Sequence, residues 1–81
     1  MNEVFLIGKI VSEVGFDFII NSKYHAISKF KIKTIDGTVL NIKAYDNLAD
    51  YIYKKMKSKY NVFIYGKLKK DYILVKNIKK L

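Results

Sequence analysis

Apolar and polar side chains alternate one by one through AISKFKIKTI, Ala26 to Ile35, and again through TVLNIKAY, Thr38 to Tyr45. Only Asp36-Gly37 stands between the two stretches. A period of two sends successive side chains to opposite faces of an extended chain, so both stretches read as strands with one buried face. Asp-Gly between such runs is a strong hairpin signal, because both residues tolerate positive φ. With Phe30 and Ile32 turned inward, Lys29, Lys31 and Lys33 point out. With Leu40, Ile42 and Ala44 inward, Asn41, Lys43 and Tyr45 point out. The hairpin thus presents one outer platform of four lysines, an amide and an aromatic ring. Like charges on neighbouring strands repel, and an anionic partner would relieve that repulsion.

Most of the remaining chain keeps the same period. Glu3 to Val14 reads as a first long strand, with a bend or close backbone approach at Gly8, and Phe16 to Ile20 continues it past a kink at Gly15. Asn61 to Lys69 and Tyr72 to Ile78 read as the last two strands, with turns at Asn21-Ser22 and Lys69-Lys70-Asp71. One segment departs from the pattern. Asp46 to Lys59 places Leu48, Ala49, Ile52 and Met56 on one helical face. Asp46 is its expected N-cap, Asp50 lies near its start, and Lys54, Lys55, Lys57 and Lys59 crowd its end, an order that complements the helix dipole. Five strands with one helix between the third and fourth is the order of an OB-fold. The expectation is therefore a mostly β chain, a five-stranded OB-fold barrel over residues 1–81 as one domain.

Composition narrows the partners. Sixteen basic residues, all lysine, stand against seven acids and give a formal charge of +9. An excess of this size points to nucleic acid, an anionic surface or an acidic protein. The absence of arginine, beside abundant Ile, Asn and Tyr, has the look of an AT-rich coding sequence. Cysteine is absent, which excludes disulfides, thiolate metal sites and cysteine nucleophiles. No apolar run has membrane-spanning length, and the N-terminus lacks the cationic lead of a signal peptide. A cytoplasmic protein without membrane association is the expectation. One histidine and seven scattered carboxylates supply no nucleophile–base pair and no metal site. Neither catalysis nor a cofactor is expected.

Seven tyrosines and five phenylalanines exceed what a small barrel needs inside. Tyr45, Phe63, Tyr65 and Tyr72 fall on the outward register, while Val62, Ile64 and Leu68 take the inward one. Bases stack on exposed rings at roughly 1–3 kcal/mol each, whatever their identity. Lysine is a mobile point charge that suits backbone tracking better than base-edge readout. The candidate nucleic-acid contacts are Lys29, Lys31, Lys33, Asn41, Lys43, Tyr45, Tyr65, Lys67 and Tyr72. The reading these residues support is non-sequence-specific binding of single strands. Two alternatives stay open: an RNA-binding OB module, or a protein-interaction subunit of a replication or DNA-transfer complex. Phe5, Ile7 and Val11 lie opposite Val4, Leu6 and Ile10, so the first strand is apolar on both faces. That pattern suggests a homo-oligomer, dimer or tetramer, built through this strand.

Laid out this way, the sequence resembles the bacterial single-stranded-DNA-binding protein family. MNEVFLIGKI is similar to that family's opening strand, NIKAYDNLADYIY to its third strand and helix start, and NVFIYGKL to its fourth strand. The resemblance implies an OB-fold that coats exposed DNA in replication, recombination or transfer, usually as an oligomer through the first strand. It puts Tyr45 where the family stacks a base and Tyr72 close to another such position. The chain departs from the pattern in several places. Tryptophan is absent, Val39 falls where a stacking ring is common, and Lys59 replaces the usual glycine at the helix end. The loop after the second strand is expected to be two residues long and the one after the fourth about three. With no acidic tail following NIKKL, tail-mediated recruitment of other proteins is not expected.

Overall fold

Residues 2–20 and 23–81 are described by a computed structural model. The turn expected at Asn21-Ser22 lies outside them. The elements in chain order are β1 (Glu3–Ile10), β2 (Gly15–Phe18), β3 (Ala26–Thr34), β4 (Val39–Tyr45), α1 (Asp46–Lys55), β5 (Asn61–Leu68) and β6 (Ile73–Lys80). β1 pairs with β5 from Glu3↔Lys67 to Lys9↔Asn61. On its other edge it meets β3 from Gly8↔Thr34 to Ile10↔Ile32. β4 and β6 close the far side in parallel, at Ile42↔Ile73 and Lys43↔Leu74. β1, β3, β4, β5 and β6 thereby form a closed five-stranded barrel with one helix between its third and fourth strands, the OB-fold. The first long strand of the sequence reading is two elements: β1 stops at Ile10, and β2 is a short extension that pairs only with β3.

Alternation does what it promised in the core. Ile10, Phe30, Ile32, Ile42, Ala44, Ile52, Met56, Val62, Ile64, Ile73, Val75 and Ile78 form one buried cluster between the barrel wall and α1. Ser28 is the buried polar residue of that side, and its hydroxyl donates to the Gly15 carbonyl at 2.8 Å. Leu68 is not inward as expected. It ends β5 at the barrel rim, where β1 has run out, and is 50% exposed. At Gly66 a bulge shifts the β5–β6 register, and a side chain there would overlap the Leu74 carbonyl.

Both ends of the helix differ from the sequence reading. α1 stops at Lys55, and Met56, though buried, already has extended backbone. Tyr45 occupies the N-cap position without a side-chain cap bond. Asp46 instead adopts φ 55° and turns its carboxylate back to accept from the His25 amide (2.7 Å) and the Ala26 amide (3.2 Å). The residue expected to cap the helix therefore ties the segment before β3 to the start of α1.

Lys59 has φ 76°, a left-handed conformation held by its amide's bond to the Ile10 carbonyl at 2.7 Å. A side chain there costs about 1–2 kcal/mol. Lys59→Gly should accordingly stabilise the fold by about 1 kcal/mol and raise the denaturant midpoint without changing the m-value. An unchanged or lowered midpoint would mean that the lysine side chain makes a compensating contact.

Candidate nucleic-acid interface

The β3–β4 register assembles the site. Lys29 lies directly opposite Lys43, Lys31 opposite Asn41, Lys33 opposite Val39 and Ile27 opposite Tyr45. All of these side chains share the outer face, as alternation against buried Phe30, Ile32, Ile42 and Ala44 requires. The turn differs from the two-residue hairpin expected from Asp-Gly. Thr34 and Thr38 pair, leaving Ile35, Asp36 and Gly37 as a three-residue loop, and of these only Gly37 has positive φ, at 90°. The Asp36 carboxylate accepts from the Thr34 hydroxyl (2.5 Å) and the Thr38 amide (3.0 Å). Those bonds, the Thr34 hydroxyl foremost, hold the Asp36 carboxyl below its ordinary value. The odd loop length is essential. A two-residue loop would put the outward lysines of β3 opposite inward residues of β4.

Barrel closure widens the basic face beyond the hairpin. Lys9 of β1 lies opposite Lys33, a second like-charged pair. On the other side Lys67 is opposite Leu74, which is opposite Lys43. One outer row therefore crosses six strands as Glu3, Lys67, Leu74, Lys43, Lys29 and Gly15. The ion pair formed among the described residues is elsewhere, between Lys54 and Asp50 on the helix at 3.1 Å. A groove of about 350 Å3 is sunk into the platform, lined by Lys29, Lys31, Asn41 and Lys43 between Ser12 and Asp71. The Ser12 hydroxyl accepts from the Lys31 amide at 2.8 Å, and the Asn41 side-chain amide donates to the Asp71 carbonyl at 3.4 Å.

Aromatic rings gather at one end of the platform. Tyr45 stacks on Tyr24 with centroids 4.1 Å apart and planes 12° from parallel. The Lys43 ammonium sits 4.2 Å from the centre of the Tyr72 ring, and Lys23 lies 5.4 Å from that of Tyr24. Partial burial, then the neighbouring Tyr72 hydroxyl, pushes the Tyr45 phenol above its ordinary value. Tyr72 precedes β6 rather than opening it, in a four-residue connection, 69–72, closed by the Lys69 amide on the Tyr72 carbonyl. That connection is one residue longer than expected.

Tyr65 is placed differently from the other candidate contacts. Its ring stacks on Phe5 at 4.8 Å and its hydroxyl donates to Glu3 at 2.9 Å, a bond that raises its phenol above the ordinary value. Phe63 lies 6.3 Å from Phe5. Phe5, Ile7 and Val11 are 67%, 61% and 42% exposed. Tyr65 thus belongs to the apolar outer face of β1 and β5, and Lys67 is the residue that joins this face to the lysine platform. Lys9, Tyr24 and Asp71 are the members that sequence reasoning missed. Lys9 follows the outward register of the first strand, but its pairing with Lys33 exists only once the barrel closes. Among the described residues no group of three or more His, Asp or Glu could hold a metal ion, and no helix is long and apolar enough to cross a membrane.

Comparison with solved structures places the fold among single-stranded-DNA-binding proteins. The SSB domain of a Synechococcus sp. protein superposes with a TM-score of 0.86 at 12% identity, over 96% of this chain and 93% of that one. The mitochondrial single-stranded DNA binding protein of S. cerevisiae gives 0.82 at 17% identity, over 98% of this chain and 92% of that one. The protein from Thermus aquaticus gives 0.88 at 14% identity; the match covers 100% of this chain but only 40% of that one. No family model matches the sequence, and no curated protein matches it either. At these identities the likeness is one of fold.

The Lys29–Lys43 pair makes the platform destabilising in the absence of a ligand. Lys29→Gln should stabilise the free protein by about 0.2–1 kcal/mol at low ionic strength. The gain should vanish at high salt, where exposed charges are screened. Thermal melts at two salt concentrations check this, and a salt-independent effect would assign the change to packing instead.

Proposed function

We propose that this chain is a member of the single-stranded-DNA-binding protein family and coats single-stranded DNA through phosphate and stacking contacts rather than a required sequence. The observation that carries the reading is the outer face of β3 and β4. There Lys29 and Lys43 stand opposite each other and form no ion pair among the described residues, and the Tyr24–Tyr45 stack lies at the end of the same face. Mobile ammonium groups at strand spacing suit phosphates, and the tyrosines offer faces on which any base stacks. Tyr24 already covers one face of Tyr45, so a base takes the opposite face. Lys29, Lys31, Lys33, Lys43 and Lys67 supply charge in this reading, with Tyr45 and Tyr72 as rings and Asn41 in the groove. The structural neighbours, an SSB domain and a mitochondrial single-stranded DNA binding protein among them, support the same partner.

The apolar outer face of β1 and β5 serves a different purpose. Exposed Phe5, Ile7 and Val11, with Phe63 and Tyr65 beside them, form the interface of a homo-oligomer. Catalysis has no place in the proposal, and the chain acts as one OB-fold unit in the cytoplasm. RNA is the second reading, because lysines and stacking rings serve either kind of single strand.

Two substitutions test the proposal. Lys31→Ala should weaken binding to every single strand alike and make the slope of log K against log salt shallower by about 0.7. An unaltered slope would remove Lys31 from the phosphate path. Tyr45→Ala should cost on the order of 1–3 kcal/mol of binding while the protein stays folded. If circular dichroism shows that the loss tracks unfolding, Tyr45 acts in the core and not as a stacking ring.

A further inference from the structure

The groove in the lysine platform contains a residue that phosphate binding does not explain. Asp71 lines it together with Lys29, Lys31, Asn41 and Lys43. It is exposed, and its carboxylate has neither an ion pair nor a hydrogen bond among the described residues. What fixes its place is its backbone, whose carbonyl accepts from the Asn41 side chain. An acid beside three lysines weakens any contact that is made to phosphate alone. It strengthens a contact with a group that offers hydrogen-bond donors next to an acceptor.

Among the bases, guanine carries that pattern on its Watson–Crick edge. N1–H and N2–H point the same way and match the two oxygens of one carboxylate, while O6 beside them accepts from an ammonium. Single strands leave this edge free to be read. Thymine presents one donor between two acceptors, so against Asp71 it makes a single bond and brings an oxygen toward the carboxylate. We infer that Asp71, with the lysines of the groove, forms a base-reading subsite that favours guanine over thymine within the single strand. The inference rests on the proposed single-strand function and adds a bias at one nucleotide to otherwise indifferent binding.

Anisotropy titrations of the full chain test it with three labelled oligomers of equal length. One is all thymine, one carries guanine at every third position, and one carries inosine at those positions. Inosine keeps the purine ring for stacking but lacks the 2-amino group. The guanine oligomer should bind about tenfold tighter than the thymine one, and inosine should lose most of that gain. Asp71→Asn should bind the three oligomers alike. Equal binding of all three by the unsubstituted protein would overturn the inference. So would an Asp71→Asn variant that gains the same factor for each oligomer, since Asp71 would then only offset lysine charge. Failure of every oligomer to bind is a different result: it would remove the single-strand function, and the subsite with it.

Discussion

The register between β3 and β4 is the constraint on which the rest of the molecule depends. Because the loop from Ile35 to Gly37 has three residues, Lys29 meets Lys43 and Phe30 meets Ile42. Apolar residues of both strands then share the inside, and charged residues of both share the outside. A slip by one residue would bury lysines and expose the core together. The Thr34–Asp36–Thr38 bonds hold this loop in place. The hairpin that secures the core therefore also concentrates the charge, so core pairing and like-charge repulsion meet on the same two strands.

Closure of the barrel turns a basic hairpin into a basic surface. β1 brings Lys9 beside Lys33, and β6 brings Leu74 between Lys43 and Lys67. Glu3 ends that row and holds Tyr65 by its hydroxyl. On either side of Lys67 the outer surface changes character, from lysine and groove on β3 and β4 to apolar and aromatic on β1 and β5. This division gives one small barrel two outer faces of different chemistry, one basic and one apolar.

Much of this was legible in the sequence because period-two alternation is a local signal. The inward set Phe30, Ile32, Ile42 and Ala44 and the outward set Lys29, Lys31, Lys33, Asn41, Lys43 and Tyr45 both followed from it. The strand order around α1 was legible too, since one segment alone had helical spacing. What escaped depended on contacts distant in the chain. Tyr24 reads as an ordinary loop residue until β3 places it on Tyr45. Asp46 has the composition of an N-cap, but the backbone amides of His25 and Ala26, at the entry to β3, claim its carboxylate. Leu68 keeps the inward phase of β5, opposite buried Ile73, yet lies past the last β1 pairing at Glu3↔Lys67 and is half exposed. Asp-Gly suggested a two-residue turn, and the side chains of Thr34 and Asp36 selected the three-residue form instead.

The most direct test of the account is a competition experiment. A labelled thymine oligomer bound to the intact protein is challenged with unlabelled single-stranded DNA and with matched duplex, at several salt concentrations. The account predicts that single-stranded DNA displaces the label efficiently and duplex poorly, with an affinity that falls steeply as salt rises. Equal displacement by duplex would contradict it, because a platform of lysines and stacking rings gains its preference from bases that are free to stack.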